Sequence, residues 1–163
     1  GLAFGTGFHP TTAMCLEELE IRVSVGIKLL DLGSGSGILS IAAANLGAGK
    51  ILAMDIDEQA VRATKNNISL NNLGKKVEVV QGSLSYEGVK NVQIVVANIS
   101  AKVLIELAVP LATTLDSEGI LIASGFLDER FDDVMQSFNA AGLSLVKRRD
   151  VQDWVAVVLS RSY

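Results

Sequence analysis

Apolar and polar positions along the chain follow two rhythms. Short runs of mostly apolar residues at 29–31, 51–54, 77–80, 92–97 and 120–123 have the length and continuity of strands buried on both faces. Longer amphipathic stretches separate them. A helix is expected over 38–46, with Gly47 in the position that follows a helix end. Asp57 is placed to cap the next helix, whose inner side carries Val61, Thr64 and Ile68 and which Gly74 ends. Leu104, Leu107, Ala108 and Leu111 fall on one helical face, and a further helix is expected over about 127–141, closed by Gly142. The rhythm then changes. Runs 143–147 and 154–159 are separated by a short polar connection, which allows an antiparallel pair but not a parallel crossover of a dozen or more residues. The fold class expected is therefore α/β: a doubly wound, mostly parallel, Rossmann-like sheet of seven strands finished by a C-terminal antiparallel hairpin.

Composition narrows the function. A chain of 163 residues, 49% apolar, fits one domain with a sizeable core. No apolar run approaches a membrane span and no signal-peptide pattern is visible, so a cytoplasmic domain without membrane attachment is expected. A net charge of −4 disfavours a broad phosphate-binding face, and no direct nucleic-acid binding is expected. The one basic cluster, Lys147-Arg148-Arg149, is followed by Asp150 and Asp153 and reads as a solvated turn. The single cysteine, Cys15, lies in the apolar stretch 13–16 and reads as helix packing; with one His beside it in the whole composition, no metal site is expected. The chain starts at Gly1 and not Met, which leaves open whether it is a fragment, and oligomeric state has no signature.

Candidate chemistry begins at "LLDLGSGSGILS". Gly33, Gly35 and Gly37 follow the first strand, at the edge where doubly wound sheets bind ligands. The dinucleotide fingerprint would place its third glycine at position 38, where Ile38 stands. Asp55 ends the second strand, where a carboxylate can accept hydrogen bonds from both hydroxyls of a ribose. Together these point to a nucleoside cofactor lacking a pyrophosphate, such as S-adenosyl-L-methionine (SAM). Asn98, in "VVANIS", ends the fourth strand on the same rim, where its amide can accept a bond from an amine.

The stretches "GLAFGTGFHPTT", "DLGSGSGILSIAA", "MDIDEQAV" and "VVANIS", in this order, closely resemble the PrmA family of class I SAM-dependent methyltransferases, which modify ribosomal protein L11. The resemblance runs to the terminal "DWVAVVL". It implies a single methyltransferase domain over 1–163, with a lid loop and leading helix at 1–26 and a Rossmann-like core at 27–163. On the same resemblance, the separate N-terminal domain that recognises the ribosomal protein in such enzymes is expected to be absent from this chain. It also implies that Thr12, Gly33, Asp55 and Asn98 contact SAM, with Phe4, Gly35 and Ser83 as further contacts, and that the loop carrying Gly5 and Gly7 folds over the cofactor. Phe8 departs from the smaller residue expected there, and Ser83 stands where many class I enzymes carry an acidic residue near the adenine.

The implied reaction is transfer of a methyl group to a protein amine, a lysine or N-terminal amine of ribosomal protein L11, leaving S-adenosyl-L-homocysteine. Only about one lysine amine in 2,500 is neutral at pH 7, yet no histidine or carboxylate pair reads as a dedicated base. His9 is the one candidate, and its place beside Pro10 favours a structural role in the lid. Desolvation beside a sulfonium lowers an amine's pKa, and placement supplies the rest. Asn98 and the backbone carbonyl of Ile99 are the groups expected to aim the amine. Three alternatives stay open: a class I methyltransferase acting on a small molecule or another protein, a non-catalytic SAM-binding module, and, more remotely, an NAD-dependent oxidoreductase.

Overall fold

The apolar runs become strands in the expected order. The computed structural model describes residues 8–84 and 88–162. Its elements are α1 (Pro10–Arg22), β1 (Lys28–Leu32), α2 (Ile38–Asn45), β2 (Lys50–Asp55), α3 (Glu58–Leu70), β3 (Val77–Gln81), β4 (Val92–Asn98), α4 (Ala101–Glu106), α5 (Ala108–Thr114), β5 (Leu115–Leu127), a 3-10 turn (Asp128–Arg130), α6 (Phe131–Ala140), β6 (Leu143–Val151) and β7 (Trp154–Arg161). The strands form one sheet in the order β3-β2-β1-β4-β5-β7-β6. The first five are parallel, and β7 and β6 close the sheet as an antiparallel pair.

Two apolar layers hold the helices on the sheet. Leu16, Leu19, Leu39 and Ile68 of α1, α2 and α3 pack with Leu29 and Ile51 on one face. Leu104, Leu111 and Phe138 of α4, α5 and α6 pack with Leu30, Val95 and Leu121 on the other. Each such side chain contributes about 1.5–3 kcal/mol when fully buried. The order of strands reverses at β1, whose neighbours are β2 and β4, so the chain departs to opposite faces there and opens a crevice beyond the carboxyl ends. Among the described residues, no helix is long and apolar enough to cross a membrane.

Several expectations need correction. The stripe Leu104, Leu107, Ala108 and Leu111 belongs to two helices that meet at Leu107. Pro110 has no N–H to donate to the carbonyl of Glu106 and its ring would crowd it, so one continuous helix is excluded. α3 ends at Leu70, before the expected Gly74, and Asn72 takes the left-handed conformation (φ 56) that asparagine tolerates. The helix expected from 127 starts at Phe131, after the 3-10 turn.

The basic triplet is not a turn. Lys147, Arg148 and Arg149 lie within β6, opposite Val158, Val157 and Ala156, and the chain turns afterwards, with Gln152 at φ 56. Alternation sends Lys147 and Arg149 to one side and Arg148 to the other. Lys147 Nζ lies 2.8 Å from Glu18 Oε2, and Arg149 pairs with Glu17 and Glu18 of α1. Arg148 binds Asp128 and Asp150 at 2.6 and 2.8 Å, with its guanidinium 4.1 Å over the Phe131 ring. Asp153 contributes a backbone carbonyl, which accepts from Asp128 N–H at 2.8 Å.

Candidate functional site

The turn after β1 is built by backbone conformation. Gly33, Gly35 and Gly37 have φ of 76, 56 and 86°, values that favour glycine. Gly33 and Ser34 donate their N–H groups to the Met54 carbonyl at 2.7 and 3.1 Å, which ties the turn to β2. From α3, Thr64 Oγ1 pairs with Ser34 Oγ at 3.0 Å and donates to the Gly35 carbonyl at 2.9 Å.

The same turn fixes Asp55. Its Oδ2 accepts the Gly35 N–H at 3.0 Å and its Oδ1 accepts the Asp57 N–H at 2.9 Å. Each oxygen keeps acceptor capacity, and the side of Gly35 that a Cβ would occupy faces open space.

Across the crevice, β4 delivers Asn98 and Ile99. Asn98 Nδ2 donates to Thr12 Oγ1 of α1 at 3.3 Å, and Ile99 N–H donates to the Ser124 carbonyl at 3.0 Å. A cleft of about 540 Å³ lies between these strand ends, lined by Gly33, Asp55, Ile56, Gly82, Ser83, Asn98 and Ile99, with Val103, Glu106 and Leu107 forming a wall from α4 onwards. A larger depression of about 700 Å³ runs between α3 and the start of β3, but it lies at the amino end of the sheet and is lined mainly by surface residues such as Lys65, Asn72 and Lys75. The smaller cleft sits where the topology opens the sheet.

The structure therefore brings Gly33, Asp55, Ser83, Asn98 and Ile99 to one cleft, with Gly35 and Thr12 joined to it through Asp55 and Asn98. Phe4, Gly5 and Gly7 lie outside the described residues. Sequence reasoning missed the α4 wall, because Leu107 belongs to the stripe that read as core and Val103 and Glu106 adjoin it. It also missed Ile56, 72% exposed beside Asp55, although a large apolar residue between two aspartates was a visible sign.

His9 caps α1. Its Nδ1 accepts the Thr11 N–H at 3.2 Å and pairs with Thr11 Oγ1 at 2.8 Å, while its ring stands edge-on to Trp154 with centroids 4.5 Å apart. A lone pair used in this way favours the structural role over that of a base. Cys15 is buried, and burial pushes its thiol pKa up, with Asp31 and Glu18 adding to the rise. Asp31, one residue before the end of β1, is also buried. Its Oδ2 accepts from Ser40 Oγ at 2.7 Å, and Oδ1 has no partner among the described residues. Burial raises its pKa to about 6 against the opposing effect of Ser40, and the charge of Asp55 adds to the rise.

A model of the family described as ribosomal protein L11 methyltransferase (PrmA) matches residues 1–162. The ribosomal protein L11 methyltransferase of Heliobacterium modesticaldum is 44% identical over 162 residues, covering 99% of this chain and 51% of that protein. Its namesake from Listeria monocytogenes is 43% identical, covering 99% and 52%. The chain thus spans about half the length of the curated relatives it matches. The crystal structure of a ribosomal protein L11 methylase from Lactobacillus delbrueckii subsp. bulgaricus superposes with a TM-score of 0.90 at 29% identity, covering 96% of this chain and 81% of that one. Methanocaldococcus jannaschii Trm5, solved in complex with adenosine, shares the fold with a TM-score of 0.81 at 22% identity, covering 96% and 51%.

Proposed function

The chain belongs to the ribosomal protein L11 methyltransferase (PrmA) family, and on that premise we propose that it moves a methyl group from SAM to protein amines, with ribosomal protein L11 as the acceptor. Such a reaction takes place in the cytoplasm, where ribosomal proteins are made. The observation that carries the reading is Asp55, held by two backbone N–H groups at the mouth of the cleft with both oxygens able to accept. That donor set fits a ribose diol, and the open space at Gly35 leaves room beside it. The adenosine bound in the archaeal relative of the same fold supports a nucleoside here. Ile56, Val103 and Leu107 would give the adenine apolar faces, and the Ser83 hydroxyl would hydrogen-bond its edge.

SAM supplies an electrophilic methyl on a sulfonium. The chain's own residues bind, orient and exclude water. The acceptor amine gives up one proton to solvent, and its lone pair then forms the new C–N bond while the C–S bond breaks and sulfur keeps the electron pair. Asn98 Nδ2 is engaged by Thr12, which leaves its Oδ1 to accept from the amine, and the Ile99 carbonyl would accept a second N–H. Two acceptors fix where the remaining lone pair points. Placement of this kind is worth on the order of 7–11 kcal/mol.

The test pairs labelled methyl transfer to purified L11 with calorimetric titration of S-adenosylhomocysteine. Asn98→Ala is expected to lower turnover about 100-fold or more while the product affinity changes by less than about 10-fold. Equal losses in both would reduce Asn98 to a cofactor contact. Absence of transfer by the unaltered chain, with S-adenosylhomocysteine still bound, would exclude L11 as an acceptor for this chain alone.

A further inference from the structure

β5 does not run straight past the cleft. Its pairing with β7 slips between Ser124 and Phe126, and the extra residue, Gly125, sits at φ 104°. Ser124 anchors this bulge: it is fully buried, its Oγ donates to the Val155 carbonyl at 2.7 Å, and its own carbonyl accepts the Ile99 N–H at 3.0 Å. The backbone of Ile99 lies directly on the saddle. A Cβ on Gly125 would overlap the Ile99 carbonyl oxygen and come within 2.8 Å of the carbonyl carbon and amide nitrogen. From the opposite side, Ile99 Cγ2 fills the space a Cβ on Gly33 would need. One residue is gripped between left-handed glycines of two different strand ends.

A positive φ does not by itself bring such a contact. Gly142 has φ 87° and no atom within 4 Å of the place its Cβ would take. There the positive φ serves the turn alone. At Gly125 it also lets one strand's backbone touch another's at the rim of the cleft.

We infer that Gly125 is a positioning residue for methyl transfer: the bulge at 124–126 sets the Ile99 carbonyl, and with it Asn98, in line with the acceptor amine. This rests on the functional reading above. An added methyl at Gly125 must drive the Ile99 peptide back by on the order of 1 Å to reach ordinary contact distance. Displacement of that size at a reacting centre lowers rates about 100-fold. The ribose-binding side, built on β2, would be unaffected.

The experiment measures kcat for labelled methyl transfer to L11 and the dissociation constant of S-adenosylhomocysteine for the unaltered chain, Gly125→Ala and Gly142→Ala. Expected is a kcat about 100-fold lower in Gly125→Ala, with KM for L11 and the dissociation constant within about 3-fold, and an unchanged kcat in Gly142→Ala, which bears similar backbone strain without the contact. Retention of kcat in Gly125→Ala, or an equal fall in Gly142→Ala, overturns the inference while leaving the functional reading intact. If Gly125→Ala does not fold, Ser124→Ala decides. Loosening the anchor should lower kcat by about 3- to 10-fold at unchanged product affinity, and an unchanged kcat overturns the inference. No transfer by the unaltered chain would overturn the functional reading first and this one with it.

Discussion

Two carboxylates are buried under α1, and their surroundings could hardly differ more. Glu18, on the helix itself, is fully enclosed but meets three cations: Arg22 Nε at 2.8 Å, Lys147 Nζ at 2.8 Å, and Arg149. Burial alone would raise its pKa, yet the hydrogen bonds from Lys147, Arg22 and Arg149 outweigh it and hold the carboxyl down to about 2. Asp31, on the strand leading into the glycine turn, meets Ser40 and keeps one oxygen without a partner among the described residues, and burial wins. The first site is a seam that joins the leading helix to the C-terminal hairpin. The second lies on β1 just before the glycine turn, where the fold tolerates a buried carboxylate with a serine as its partner. Enclosure is common to both carboxylates; the number of cations each one meets decides which way its pKa moves.

The comparison breaks most visibly at the seam. Glu18→Ala leaves Arg22 and Lys147 without this anion and Arg149 with Glu17 alone, and the expected loss is about 3–4 kcal/mol of unfolding free energy at pH 7, read from urea denaturation. Because the folded pKa lies below the unfolded one, Glu18's contribution is complete above about 4.5 and is lost as pH falls towards 2, so the two proteins should converge in acid. Parallel curves would mean that the ion pairs contribute little.

Asp31 should show the opposite slope. Its folded pKa is raised from 3.8 to about 6, so between those values the folded state binds more protons than the unfolded one, and stability falls as pH rises. The shift corresponds to ~3 kcal/mol. Asp31→Asn, with the same shape and no charge, is expected to match the parent near pH 4 and to exceed its stability above pH 6, measured as urea midpoints across that range. Coincident profiles would show that Asp31 stays ionised throughout without penalty.

At the mouth of the cleft, the proposed function assigns the Asp55 charge to the ligand. Asp55→Ala should weaken S-adenosylhomocysteine binding by about 1.5–3 kcal/mol in calorimetric titration, while the unfolding midpoint changes little. An unaltered dissociation constant would remove Asp55 from the site.

Which of these features the sequence announces follows from their range. The parallel half is specified locally: the runs of β1 and β4 are buried on both faces, the edge strand β3 only in part, and Gly33, Asp55 and Asn98 stand at strand ends where topology makes them neighbours. The hairpin half is specified from afar. β5 opens with the polar residues Asp116 and Glu118, which hide its true length, and β6 carries Lys147 and Arg149, whose partners on α1 lie up to 132 residues away. A local window pairs them with Asp150 and Asp153 instead. The α4 wall escaped for a related reason: the neighbouring positions that face the core and those that face the cleft share one amphipathic pattern. Pro110, whose effect on the helix is local, was readable and explains the break.

The smallest effect sharpens the contrast because it holds the chemistry constant. Arg22–Glu18 and Arg62–Glu58 are both glutamate-to-arginine pairs at i, i+4 on a helix, at 2.8 and 2.5 Å. The α3 pair is the shorter, yet its side chains are 73% and 65% exposed, whereas Glu18 is sealed. Water already satisfies an exposed guanidinium and carboxylate, salt screens them, and holding two long side chains together costs entropy. Arg62→Ala should therefore change unfolding free energy by no more than about 0.3–0.5 kcal/mol, and less still in 1 M salt. The same truncation at Arg22 should exceed it several-fold, since it withdraws a partner from a carboxylate that water cannot reach. Equal losses at the two sites would mean that contact distance, and not enclosure, decides the worth of these pairs, and the contrast between seam and surface would fall.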